Sequence, residues 1–176
     1  MEVYLKPLTK KDAEPLYVFE LENRDFFERM VPGRGDEYYV SDIFHEKYND
    51  LLDEQSRREG FFYLIKDEQG SIMGRMNVSL DPSTGVGEVG YRVGCDFTGQ
   101  GVACRALALL LERMESEKIS QLEAKTTSAH IASIKVLKKN GFTYIGTSDD
   151  TFTMHGQEQR FVHYRWSSQT LNEGHI

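Results

Sequence analysis

The chain reads as an α+β protein of the α/β three-layer kind: a mixed, mostly antiparallel twisted sheet with a central parallel strand pair and flanking helices. Three observations predict it. Two strand-like runs, Gly60 to Lys66 and Ser71 to Leu80, flank the turn Asp67-Glu68-Gln69-Gly70 and so read as a hairpin. A third run, Gly87 to Gly94, leads through Gly99-Gln100-Gly101 straight into an amphipathic helix from Gly101 to about Glu117. After that helix comes the strand-like Leu122 to Thr127, and a strand joined to its predecessor through a helix lies parallel to it.

The other elements follow in chain order. Val3 to Pro7 reads as a first strand. Thr9 and Asp12 offer rival starts for the first helix; Asp12 as N-cap is preferred because it leaves Pro15 in the first turn, where no hydrogen bond is lost. Leu16 and Phe19 then face the core, and Asn23 to Gly35 is a loop-rich passage. Val40, Ile43, Phe44, Tyr48 and Leu51 fall at helical spacing in a second helix from about Glu37 to Arg57. In the Ser71 to Leu80 strand the alternation is only partly clean. A short helix, Ile131 to Lys139, ends at Asn140-Gly141-Phe142, where Gly141 suits the left-handed position and Phe142 can pack on Leu137. Phe142 to Met154 and Gln159 to Trp166 form a long closing hairpin. Residues 1–167 make one domain, with 168–176 as a frayed tail.

Composition narrows the function classes. With 39% hydrophobic and 28% charged residues, the 176-residue chain is an ordinary globule. A formal net charge of −7 argues against nucleic acid as a partner. No apolar run approaches the length of a membrane span, so neither membrane nor leader is expected and the expected location is cytoplasmic. Cys95 and Cys104 make no disulfide framework, and the five histidines show no metal-ligand spacing.

The chemistry concentrates at the glycine loop. Glycines let a ligand approach the backbone, and the N–H groups of the helix's first turn favour phosphate. No Gly-Lys-Ser/Thr follows, which excludes a nucleoside-triphosphate P-loop. Cys104 stands where a dinucleotide loop would carry its third glycine, and hairpin-joined strands precede it. No Gly-x-Ser-x-Gly elbow supports a hydrolase.

Gly90-Tyr91-Arg92-Val93, Thr98-Gly99-Gln100-Gly101-Val102-Ala103, and then Ser133 with Lys139-Asn140-Gly141-Phe142 resemble, in that order and spacing, the GNAT superfamily of acetyl-CoA-dependent N-acetyltransferases. The nearest branch is the one that acetylates the N-termini of ribosomal proteins. The resemblance spans nearly the whole chain. It implies a GNAT-like fold, acetyl-CoA as donor with coenzyme A as product, no metal, and direct attack by a primary amine in a ternary complex. The pantetheine arm would insert between the diverging parallel strands, pairing with the edge around Tyr91, Arg92 and Val93, while the diphosphate meets Thr98, Gly99, Gln100, Gly101, Val102 and Ala103. His130, Ser133 and Asn140 are further candidate cofactor contacts. The first two helices and their loop would line the acceptor channel, which makes Phe26, Phe27, Arg29 and Arg34 candidate substrate contacts. The residues alone equally allow core aromatics and a solvated arginine rim.

Two catalytic candidates emerge. At neutral pH an α-amine loses its proton at a cost of about 1 kcal/mol, against about 4 to 5 for a lysine, so an N-terminal acceptor needs only a weak base. Glu88 is the carboxylate best placed by sequence to be that base or to hold a water; a cross-strand ion pair is the rival reading. A backbone N–H near Arg92 or Val93 would face the developing oxyanion. The tyrosine that many family members carry four residues before the final Gly-Phe is Leu137 here, and the resemblance to the ribosomal branch implies Ser133 as the substitute proton donor. Ser133 could instead serve only the helix's first turn. The family's asparagine three positions before Ser133 is His130, which reads as a pantetheine contact or a structural group. Thr98 replaces a longer polar residue, and Asn140 reads as an end cap or a cofactor contact. The acceptor is a peptide or protein N-terminus or a small-molecule amine such as an antibiotic, polyamine or amino acid, and homodimerisation stays open. A non-catalytic acyl-CoA-binding module is the second reading.

Overall fold

The computed structural model describes residues 1–169. Its strands are β1 (Tyr4–Pro7), β2 (Gly60–Lys66), β3 (Ile72–Leu80), β4 (Gly87–Val93), β5 (Gln121–Thr127), β6 (Thr143–Thr147), β7 (Phe152–Met154), β8 (Gln157–Gln159) and β9 (Phe161–Ser167). The helices are α1 (Ala13–Glu22), α2 (Arg24–Glu28), α3 (Ser41–Ser56), α4 (Val102–Ser116) and α5 (Ile131–Lys139). Seven strands form one sheet in the order β1-β2-β3-β4-β5-β9-β6, and β7 pairs with β8 as a separate ribbon. Among the described strands only β4 and β5 run parallel, as the intervening helix requires.

Helices cover both faces. On one, Met76, Val78 and Val89 pack with Leu107, Leu110 and Leu137. On the other, Phe62 and Leu64 pack with Leu16, Phe19, Phe44 and Tyr48. Being buried on both faces, β2 reads as a continuous apolar run rather than an alternating one. Val102, Ala106, Leu107, Leu110 and Met114 form the buried stripe of α4, where each buried leucine contributes about 1.5 to 3 kcal/mol relative to exposure. In β3 the pairing skips from Lys66↔Ile72 to Ile65↔Gly74, so Met73 is an extra residue. This bulge turns Met73 to the same core as Met76 and Val78 and explains the imperfect alternation.

Three boundaries and one cap differ from expectation. α1 does start after Asp12, but the Asp12 carboxylate turns back to accept from the Thr9 N–H at 3.0 Å and Thr9 hydroxyl at 2.8 Å instead of capping it. The passage Asn23 to Gly35 contains the short α2, held because Phe27 is buried against Phe19. The second long helix begins at Ser41: a tight 3-10 turn over Asp36–Tyr39 buries Tyr38 and Tyr39, leaving Val40 extended and exposed rather than in the core. The closing hairpin is broken into β6–β9 and the β7–β8 ribbon, and β9 inserts between β5 and β6. Phe142 precedes β6 and packs in the core, with Gly141 at φ 81° and the Phe142 N–H bonded to the Leu137 carbonyl at 3.1 Å. Ser168 is buried and its N–H bonds the Ser120 carbonyl at 2.8 Å; the rest of the expected frayed tail, from position 170 on, lies outside the described residues.

Candidate active site

The site is set by where the parallel ladder stops. β4 and β5 pair only over Gly87↔Leu122, Glu88↔Glu123 and Val89↔Ala124, yet β4 continues to Val93 and β5 to Thr127. The Gly94 N–H bonds back to Met73 on β3 at 2.8 Å, so alternation also sends Arg92 and Gly90 to β3 and turns the backbone groups of Val93 and Tyr91 toward β5. Past Val89 these face a widening gap. The expected edge of the cleft is therefore Tyr91 and Val93, with Val93 the better placed backbone donor.

At the open end of β4, Gly99 (φ 73°) and Gly101 (φ 77°) adopt the left-handed conformation and deliver the chain into α4. Among the described residues, no group accepts from the N–H groups of Gly99 to Cys104. A Cβ at Gly99 would meet nothing within 4 Å, and one at Gly101 would meet only the flexible Arg105 side chain. Unpartnered amides with room in front of them fit a diphosphate. The Thr98 hydroxyl donates to the Cys95 carbonyl and the Gln100 amide to the Asp96 carbonyl, so both side chains brace the loop.

Ser133 sits in the first turn of α5, beside the cleft. Its Oγ lies 3.2 Å from the Tyr91 hydroxyl, and its N–H donates to His130 Nδ1 at 3.4 Å. His130 is thus the N-cap of α5, and burial lowers its pKa, which keeps Nδ1 an acceptor. Burial pushes the Tyr91 phenol up to about 12. Leu137 is buried in the core, so Tyr91 and Ser133 carry the hydroxyls of this region. Asn140 Nδ2 donates to the carbonyls of Val136 and Cys104 and lies 3.4 Å from Cys104 Sγ, fastening α5 to α4.

Glu88 projects to the opposite face of the sheet, solvent-exposed, with Lys125 on β5 at a loose 3.9 Å. Arg92 departs from its expected role. Its backbone pairs with Arg75 and its guanidinium reaches the buried Glu20 at 3.2 Å while stacking on Phe27 at 4.6 Å. Glu20 also takes Arg75 Nη1 at 2.9 Å, and Arg75 Nη1 donates to the Tyr38 hydroxyl at 3.1 Å. Burial first, and Arg34 next, lower the Arg92 pKa. The sequence expectation missed Glu20, Arg75 and Tyr38. Their signal was present: an acid four residues after the core position Leu16, and arginines at cross-strand positions on the helix-covered face of β3 and β4.

Of the expected acceptor contacts, Phe27 is buried under Arg92 and Phe26 is half-buried beside it. Arg34 lies over the Tyr38 ring at 4.7 Å, whereas Arg29 stays on α2's own surface, bonded to the Asp25 carbonyl. Nearby, α3, Tyr38 and β3 enclose a cavity of about 530 Å³. The β7–β8 ribbon meets α2 where His155 Nε2 donates to the Glu28 carbonyl at 2.9 Å. Among the described residues no cluster could hold a metal ion, no helix is long and apolar enough to cross a membrane, and both cysteines are free.

A mixed sheet whose parallel pair splays above an amide-lined loop leaves room for an extended, diphosphate-bearing ligand between two strands. A family model described as acetyltransferase (GNAT) domain matches residues 2–143, and the chain belongs to that family of acetyl-CoA-dependent acetyltransferases. It is similar to the probable N-acetyltransferase YjcK of Bacillus subtilis, with 24% identity over 158 residues, 88% of this chain and 87% of that protein. The fold is shared with the ribosomal-protein-S5-alanine acetyltransferase of Vibrio fischeri (TM-score 0.86, 18% identity, 95% of this chain and 93% of that one). It is also shared with RimL, a ribosomal α-N-protein acetyltransferase in complex with coenzyme A (TM-score 0.84, 18% identity, 94% and 93% covered).

Proposed function

We propose that the protein acetylates the α-amine of a peptide or protein N-terminus by direct attack in a ternary complex. The observation that carries the reading is the gap past Val89 and Ala124, which opens beside the bare backbone of Gly90, where a Cβ would meet nothing within 4 Å. The N–H groups of Gly99 to Ala103 would hold the diphosphate, and the β5-facing groups of Tyr91 and Val93 the pantetheine amides. Acetyl-CoA bound there supplies an acetyl thioester as electrophile. The Val93 N–H stabilises negative charge at the cleft edge. Ser133 Oγ, held by Tyr91, is the proton donor on the α5 side.

On the acceptor side, Glu88 is solvated and Glu20 is locked between two arginines. Neither is the strong buried base that a lysine or polyamine amine would require, whereas an α-amine needs only about 1 kcal/mol to lose its proton. Glu88 takes that proton directly or through water. The likeness in fold to two ribosomal-protein acetyltransferases supports the same acceptor class. The test follows thiol release from acetyl-CoA with three acceptors: a peptide with a free α-amine, the same peptide α-blocked but carrying a free lysine, and spermidine. Turnover is expected with the first alone; faster turnover with either of the others overturns the assignment.

A further inference from the structure

The cavity beside Tyr38 holds polar groups that the fold leaves without partners. Arg75 is 3% exposed, yet its Nε makes no hydrogen bond, and neither does the buried Oδ1 of Asn77. Both residues line the cavity. Above them, Arg34 lies over one tyrosine ring, Tyr38, at 4.7 Å, and Lys47 approaches the same ring at 5.8 Å. Among the described residues neither Arg34 nor Lys47 forms an ion pair, and Glu20 is shared between Arg75 and Arg92. Three cations therefore converge on Tyr38 with one shared carboxylate among them. Of the acids that also line the cavity, Asp50 stands one turn along α3 from Lys47, with no ion pair between them among the described residues, and Glu54 two turns along, about 10 Å from Lys47.

We infer that this end of the cavity receives a carboxylate carried by the acceptor, so that the enzyme selects amines bearing an acid at a fixed distance. The inference rests on the N-terminal reading above and names its substrate class. Asn77 lies directly opposite Gly90 across the β3–β4 ladder, and Gly90 has open space on that face. With strands about 4.8 Å apart, the path from Arg75 and Asn77 over Gly90 to the cleft is roughly 7 to 10 Å. That is about two to three residues of extended chain. An acceptor threaded along it can offer a backbone N–H to Asn77 Oδ1 and a carboxylate to Arg75 Nε, Arg34 and Lys47. The carboxylate is either an acidic side chain at the second or third position of a peptide or the terminal carboxylate of a dipeptide.

Peptides with a free α-amine and an amide-capped C-terminus, carrying glutamate, glutamine or lysine at position two or three, would be compared by thiol release. Glutamate is expected to exceed its isostere glutamine by about tenfold in kcat/KM, chiefly through KM. The double variant Arg34→Ala, Lys47→Ala is expected to erase that preference, and Lys47→Glu to shift it toward lysine. A dipeptide with a free C-terminus that outperforms the capped glutamate peptides would assign the carboxylate to the chain end. Acetylation of all capped peptides and free dipeptides with equal kcat/KM overturns the inference and leaves the N-terminal reading standing. Acetylation of none of them, alongside measurable acetyl-CoA binding, overturns both. The wild-type comparison decides without any variant.

Discussion

Replacing Glu20 with alanine is expected to cost about 3 to 5 kcal/mol of folding stability, because it strands two guanidinium groups inside the fold. Glu20 is fully buried and accepts from Arg75 at 2.9 Å and from Arg92 at 3.2 Å. Arg75 is 3% exposed and cannot turn to solvent. Against a typical domain stability of about 5 to 15 kcal/mol, the loss is a large fraction. At this chain length it corresponds to a fall in Tm of roughly 6 to 20 °C. Urea unfolding followed by circular dichroism reads it as a shift in midpoint at constant slope. The physics also predicts an asymmetry. Replacing all three members together, Glu20→Leu with Arg75→Met and Arg92→Leu, is expected to be near neutral, since the desolvation of every charge is removed along with their attraction. A Glu20→Ala loss below about 1 kcal/mol, the worth of an exposed pair, would refute the reasoning. So would a triple variant less stable than the single one.

Further outcomes concern the cleft. Gly101→Ala places a Cβ on a residue at φ 77°, a strain of about 1 to 2 kcal/mol, and is expected to weaken acetyl-CoA binding about tenfold by calorimetry; unchanged affinity would remove the loop from the binding site. Ser133→Ala is expected to lower kcat about 10²-fold with little change in acetyl-CoA affinity, and Tyr91→Phe only a few-fold, because Tyr91 holds the Ser133 hydroxyl rather than donating itself. An equal loss would refute that division, and a larger loss in Tyr91→Phe would reverse the roles. Tyr91 also predicts an alkaline limit: with its folded pKa raised to about 12 from 10.0, its contribution is intact below pH 10 and lost as pH rises toward 12. Unfolding curves across that window are expected to fall less steeply in Tyr91→Phe, and identical slopes would show the phenol is not buried.

The sequence alone determined what local pattern and turn chemistry control. The hairpin of β2 and β3, the glycine entry to α4, the parallel placement of β5 and the end of α5 at Gly141 all follow from periodicity, glycine conformation and the handedness of crossovers. The placement of Ser133 in the first turn of α5 and of Thr98 to Ala103 at the entry to α4 follows likewise, because each lies within one element and its cap. Tertiary structure decided what depends on two distant segments meeting. The Met73 bulge set the face of β3, and a tight turn at Tyr38 and Tyr39 displaced the start of α3. The meeting of Glu20, Arg75 and Arg92 drew Arg92 away from the cleft and shaped the cavity beside Tyr38. Periodicity tells which face of an element is buried, but a charge on that face chooses its partner only after the layers close, when desolvation makes an unpaired group costly.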